Sequence, residues 1–308
     1  MLKPTIFSMM LTWFVAAVAL PVVADDEATK NSETVTVTSN KEAAGQDQQQ
    51  EQQGKKKAAD KTSAARLRAI REVMAEISME SLVGEKIQPL ELKPDPLLRY
   101  NDVTRGILDS CIFRIGIKGR PVALISAELY GREGERCLLN HEFVAFHQPK
   151  LKMQRDNFVW EPPTGNLTFH DLPNSDPPVA NERLRLAQMR KLSDQFTASQ
   201  MVGTSRIELR RMATPIDRYT PSDAPRAVGA IFAFAWGVNP EAALVLESDG
   251  EKWLYAWAPL SSAPLEAKLG ETVAWQCPQA TEHESRTAAY TSIHRAMKVP
   301  EYFDTPDE

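Results

Sequence analysis

The apolar positions of the 308-residue chain fall into three successive patterns. From Ile6 to Leu20 they form an uncharged stretch, preceded by Lys3 and followed by Pro21-Val22-Val23-Ala24 and then Asp25-Asp26. This is the layout of an export signal, with small residues placed for cleavage before Asp25; an uncleaved anchor is the competing reading, because the run approaches the ~20 residues of a spanning helix. Next, from Asp25 to about Lys61, apolar side chains almost vanish. Gln48-Gln49-Gln50-Glu51-Gln52-Gln53 and Lys55-Lys56-Lys57 stand among acids and alanines, and only Val35, Thr36 and Val37 interrupt the polarity. Such a stretch cannot bury a core, so it predicts a disordered tether. Beyond Ser63 the apolar positions become periodic.

Two helical periods are visible. Ser63 can cap a helix carrying Leu67, Ile70, Val73, Met74 and Ile77, and Asn181 can cap one carrying Leu184, Ala187, Leu192 and Phe196. Strand-like runs follow each, at 86–92, 107–117, 122–130, 137–146 and 157–160, and again at 206–211, 228–236, 242–247, 252–258 and 272–275. These two series are related. At an offset of 119 residues, Val83-Gly84 returns as Val202-Gly203, Leu90 as Leu209, Pro96 as Pro215, Arg99-Tyr100 as Arg218-Tyr219 and Ile112-Phe113 as Ile231-Phe232. Pro121, Ala123, Glu128 and Gly131 return as Pro240, Ala242, Glu247 and Gly250, and Trp160 answers Trp275 at a slightly shorter spacing. The chain therefore contains an internal duplication. The fold class expected from it is α+β: two tandem repeats, each a helix followed by a four- to five-stranded antiparallel sheet, packed as a pseudo-twofold pair. The boundaries are 1–24 signal, 25–62 tether, 63–170 first repeat, 171–181 proline-rich linker, 182–280 second repeat and 281–308 short helix and frayed tail. Tyr290, Ile293 and Met297 supply the helical spacing of that tail.

Turn chemistry sets a register for the second repeat. The Gly237-Val238-Asn239-Pro240 connection pairs Trp236 with Glu241, Phe234 with Ala243 and Phe232 with Val245. The Asp249-Gly250 turn pairs Glu247 with Lys252, Leu246 with Trp253 and Leu244 with Tyr255. Trp253, Tyr255 and Trp257 then face away from Phe232 and Phe234, over the small Ala233 and Ala235. With both faces apolar, each sheet needs two covers, one from its own helix and one from the other repeat.

Composition narrows the functions. A net charge of −5 with 25% charged residues removes the electrostatic footprint of a nucleic-acid binder. Three cysteines exclude a disulfide scaffold, although Cys111 and Cys137 can form one bridge in an exported protein. No metal-finger spacing, phosphate loop or nucleophile elbow is present, so no cofactor and no metal are expected. The catalytic candidates are Glu128, His141, Glu142 and Glu247. A two-histidine metal site on the strand face of His141 and His147 is disfavoured, since six residues of strand separate them by ~20 Å. Duplicated Arg99, Tyr100 and Glu128, with Arg218, Tyr219 and Glu247, read as structural pairs in which each arginine bridges its glutamate. Trp253, Tyr255 and Trp257 are either a sugar-stacking platform or, in the register above, packed core.

The series Leu139-Asn140-His141-Glu142-Phe143, Trp160-Glu161-Pro162, Glu208-Leu209-Arg210, Pro215-Ile216-Asp217-Arg218-Tyr219, Gly229-Ala230-Ile231-Phe232 and Asn239-Pro240-Glu241 resembles a family of exported bacterial proteins of unknown function. The resemblance covers about residues 64–280 and implies the layout without assigning a catalytic residue. The resulting expectation is an exported protein, periplasmic or extracellular, that binds an unknown protein or small ligand without catalysis, with no stable membrane insertion after signal cleavage. The alternative is an exported hydrolase acting on carbohydrate or another polymer through its carboxylate and histidine groups.

Overall fold

A computed structural model describes residues 40–83, 85–133, 136–146, 150–163, 167–220 and 228–298; the expected signal segment lies outside them. The chain forms two units, residues 1–51 and 52–308. In the first, the described residues 40–51 are helical. All that follows concerns the second.

Among the described residues strand far outweighs helix. α-Helix is confined, among the described residues, to α1 (Asn40–Ala75) and α2 (Glu182–Ser193), with one 3-10 turn at Val103–Arg105. The protein is thus predominantly β, which overturns the expected α+β pair of helix-then-sheet repeats. Two physical causes underlie the difference. Residues 40–62, read as a disordered tether, are helical; their Ala, Glu, Gln and Lys are strong helix formers. Conversely, several strands carry polar residues on every second position and so do not stand out as apolar runs. β7 below is the clearest, with Leu151, Met153 and Arg155 buried and Lys150, Lys152 and Gln154 exposed.

The first nine strands are β1 (Ser78–Val83), β2 (Lys86–Pro89), β3 (Leu98–Asp102), β4 (Ile107–Ile115), β5 (Ala123–Glu133), β6 (Arg136–Ala145), β7 (Lys150–Arg155), β8 (Phe158–Trp160) and β9 (His170–Asp171). After α2 come β10 (Phe196–Val202), β11 (Ser205–Arg211), β12 (Asp217–Tyr219), β13 (Val228–Trp236), β14 (Asn239–Ser248), β15 (Trp253–Pro259), β16 (Leu265–Leu269), β17 (Thr272–Cys277) and β18 (Tyr290–Lys298). They form a four-stranded sheet β2-β1-β7-β8, a five-stranded sheet β18-β6-β5-β4-β3, and a nine-stranded sheet β17-β16-β10-β11-β13-β14-β15-β9 with β12 beside β13. The last of these curls into a half-barrel.

Antiparallel registers recur along the chain. Val83 opposes Lys86 as Val202 opposes Ser205, Arg99 opposes Cys111 as Arg218 opposes Ala230, and Phe113 opposes Ile125 as Phe232 opposes Leu244. Further on, Ala127 opposes His141 as Leu246 opposes Tyr255. The edges are exchanged: β9, which follows the first set of strands, pairs with β15, and β18, which follows the second set, pairs with β6. The expected C-terminal helix is therefore a strand. Ile293 and Met297 share a strand face as well as a helix face, and the free edge of β6 supplies nine ladder partners that an isolated helix lacks.

Three apolar cores result. α1 contributes Ile70, Val73 and Met74 to the first, against Phe113, Ile125, Phe143 and Trp160. α2 contributes Met189 and Leu192 to the second, against Phe196, Phe234, Leu244, Trp253 and Trp257. Its first turn is held by the Asn181 side chain, which accepts from the Leu184 amide at 3.1 Å. The third lies between the five- and nine-stranded sheets, where Ile112, Leu124 and Val144 meet Ile231, Ala243, Val245, Ala256 and Ala258. Small residues dominate one side of that seam, which lets the sheets approach.

This arrangement corrects the expected hairpin register. Phe234 opposes Ala242, and Phe232 opposes Leu244, because a bulge after Phe234 absorbs one residue of the turn. A one-residue slip flips a strand's faces. Trp253, Tyr255 and Trp257 consequently lie on the same side as Phe232 and Phe234, inside the second core. Among the described residues no helix is long and apolar enough to cross a membrane.

Candidate functional site

Strand periodicity decides where each candidate side chain points. Arg99 and Tyr100 are neighbours on β3 and so face opposite sides. Tyr100 shares a face with Glu128 across Ser110, and its hydroxyl donates to Glu128 at 3.3 Å and to Asn239 at 2.8 Å. Arg99 turns instead to Asp109 and the Ser63 carbonyl. The second half repeats this: Tyr219 donates to Glu247 at 2.6 Å, while Arg218 pairs with Glu182 at 2.8 Å. The expected Arg99–Glu128 and Arg218–Glu247 bridges are therefore absent, replaced by tyrosine–glutamate hydrogen bonds. Tyr219 reaches Glu247 by lying across Gly229, where a Cβ would sit 2.3 Å from its ring.

All four candidate catalytic groups are engaged within the fold: Glu128 and Glu142 are diagonal neighbours on one buried face of β5 and β6, while His141 and Glu247 lie apart from them. Glu128 also accepts from Tyr130 at 3.0 Å and Asn140 at 3.1 Å. Glu247 accepts from Arg120 as well as Tyr219. Glu142 accepts from Tyr290 at 2.7 Å, and burial, then the nearby Glu128 charge, holds its carboxyl well above the usual range. His141 points the other way, into the first core, where Arg155 Nη1 lies 2.9 Å from Nδ1 and 2.6 Å from Nε2. Burial and the Arg155 charge push its pKa well below the ordinary histidine value, so the ring is neutral. His141 and Glu142 thus never meet, and the acid–base pairing of an exported hydrolase is not assembled from these residues. His147 lies outside the described residues. Among the described residues, no group of three or more His, Cys, Asp and Glu side chains is placed to hold a metal ion.

Cys111 and Cys137 are both buried. They sit on β4 and β6, separated by β5, and the ladders place Cys111 level with His141 rather than with Cys137. Two strand spacings of ~4.8 Å already exceed the reach of a disulfide, so the expected bridge does not form. Burial pushes the Cys111 thiol up to about 12.

The open concavities lie elsewhere. Two occur in matching places: one of about 420 Å³ between α1 and β3, beside Arg66, Arg99 and Tyr100, and one of about 500 Å³ between α2 and β12, beside Arg185, Arg218 and Tyr219. A larger cavity, of about 830 Å³, opens at the rim of the nine-stranded sheet. Its walls are His170 and Asp171 of β9, Gln195 after α2, Tyr255 of β15, and Leu269, Gly270 and Thr272 around the β16–β17 turn. Tyr255 stands at its back, 5.5 Å centroid to centroid from His170 and 5.0 Å from Phe196. Asp171 also pairs with Lys252 at 2.7 Å. Burial raises the Tyr255 pKa, so its hydroxyl stays protonated and is both a donor and an acceptor.

Of the three candidate aromatics, Tyr255 alone lines this cavity; Trp253 and Trp257 are sealed behind it. The sequence pattern missed the cavity's other walls. Gln195 fell inside a helix read as reaching Phe196, Leu269 lies on β16, a strand the pattern did not predict, and the two-residue β9 is too short to carry a period. No family model, curated protein or solved structure matches the chain.

Proposed function

We propose that the chain is an exported, noncatalytic binding protein whose ligand is held in the cavity formed by His170, Asp171, Gln195, Tyr255 and Thr272. One observation carries this reading: an open cavity of about 830 Å³, within the size range of ligand sites, combines an aromatic wall with converging amide, hydroxyl, imidazole and carboxylate groups. The buried partners of Glu128, Glu142, Glu247 and His141 support a binding role over hydrolysis, since each group is engaged within the fold.

The test is a thermal-shift screen of the full chain against sugars, amino acids, short peptides and small anions. A binder at a hundredfold excess over its Kd adds about 2.7 kcal/mol of stability and raises the Tm. The expected result is a ligand whose shift is lost in Tyr255→Ala but kept in Tyr130→Phe. Turnover of any substrate in a hydrolase panel, abolished by Glu128→Gln or Glu142→Gln, would overturn the proposal.

A further inference from the structure

The cavity has a counterpart in the first half of the chain, and there it is filled. By ladder register, Tyr255 occupies the place of His141, and its neighbour His170 the place of Ile293. Leu269 stands where β7 carries Arg155: Ala267 opposes Ala198 as Met153 opposes Met79, and Leu269 and Arg155 each lie two residues further along. The turns that follow also match: Gly270 has φ +57° and Asp156 φ +51°. Gln195 stands at the offset of 119 from Glu76. In the first half these residues enclose a guanidinium. Arg155 is 5% exposed, with Nη1 against the His141 ring and its other nitrogens 4.0 Å from Glu76 and from Asp156. In the second half the shorter Leu269 leaves the equivalent space open to solvent.

Resting on the cavity reading above, we propose that this space takes an arginine side chain presented by a partner polypeptide, in the place that Arg155 fills in the other half. The Tyr255 ring and hydroxyl, the His170 imidazole and the Gln195 amide oxygen supply the aromatic face and acceptors that a planar guanidinium needs. The volume exceeds that of one side chain, so flanking backbone fits as well. A free ammonium is a poorer match, because a point charge cannot lie flat against a ring and satisfy divergent acceptors together.

The probe is a capped Gly-Arg-Gly tripeptide, titrated into the full chain by calorimetry and by amide chemical-shift mapping. Binding that perturbs Gln195, Tyr255 and Gly270 is expected, with the isosteric citrulline peptide weaker by about tenfold. Leu269→Arg, which installs the first half's own plug, should abolish binding while the Tm stays near that of the parent. Gly270→Asp restores the carboxylate of Asp156 at a positive φ that aspartate tolerates, and should strengthen binding several-fold. Equal affinity for the citrulline peptide would overturn the guanidinium, and equal affinity for free L-arginine would overturn the partner chain. If the peptides fail but a neutral ligand perturbs the same amides, arginine is wrong and the cavity reading stands. If nothing perturbs them, both fall.

Discussion

Glu142 and His141 are consecutive residues whose protonation is set in opposite ways by the two faces of one strand. Glu142 points into the seam between sheets, where burial and Glu128 raise its pKa above the ordinary 4.5. A carboxyl raised in the folded state favours folding while protonated, and its stabilisation falls as pH climbs from the unfolded value through the folded one. His141, lowered below 6.5, has the opposite sign: its contribution is complete above the unfolded value and falls as pH drops. Glu241 and Asp217 are also raised, chiefly by burial. Because Gln keeps the protonated group's shape without its ionisation, the stability of Glu142→Gln relative to the parent should rise as pH climbs above the ordinary 4.5, leaving the variant the more stable protein at pH 8 in chemical denaturation. An unchanged slope in the variant would show that Glu142 ionises normally.

At the level of elements, the decisive information lies in which edges are paired. β18 reads as a helix locally because Tyr290, Ile293 and Met297 fit that period; as a strand it sends Ile293 into the first core and Tyr290 into the seam. Its nine partners on β6 lie about 150 residues earlier, a relation that no local pattern contains. The same applies to the Phe234 bulge, which cost one residue of register and reversed the face on which Trp253 and Trp257 sit. By contrast, the Asn181 cap, the limits of β13 and the 119-residue echo of Arg99-Tyr100 in Arg218-Tyr219 were legible, because capping and duplication are written in adjacent residues or in identity. The strand assignment makes a quantitative prediction. Ile293 is buried in the first core, so Ile293→Ala should cost about 2–5 kcal/mol, whereas Ile87→Ala, at a position 67% exposed, should stay within about 0.5 kcal/mol. Urea denaturation of both variants measures this, and equal effects would contradict the placement of β18.

For the molecule as a whole, exchanged edges and crossed ion pairs bind the two halves into one cooperative body. Arg105, Arg114 and Arg120 come from the first half and meet Glu241, Asp217 and Glu247 of the second. Arg114 and Asp217 are both buried, 2.5 Å apart, and Arg114 also caps the carbonyls of Gly116 and Gly119. Removing one member of such a pair strands the other charge, at a cost of about 3–5 kcal/mol, whereas replacing both with apolar groups of similar size is near neutral. Asp217→Asn should therefore destabilise strongly, and Arg114→Met with Asp217→Leu should recover most of the loss. Because β9 and β18 each complete the other half's sheet, neither half can unfold while its partner keeps a full set of strands. Trp160 reports on the first core, and Trp253, Trp257 and Trp275 pack in the second. In single-tryptophan variants these probes should give one coincident urea transition, in the parent and in Asp217→Asn alike, with only the midpoint shifted. Separate midpoints for Trp160 and Trp253 would mean that the exchanged strands hold the halves together without coupling their folding.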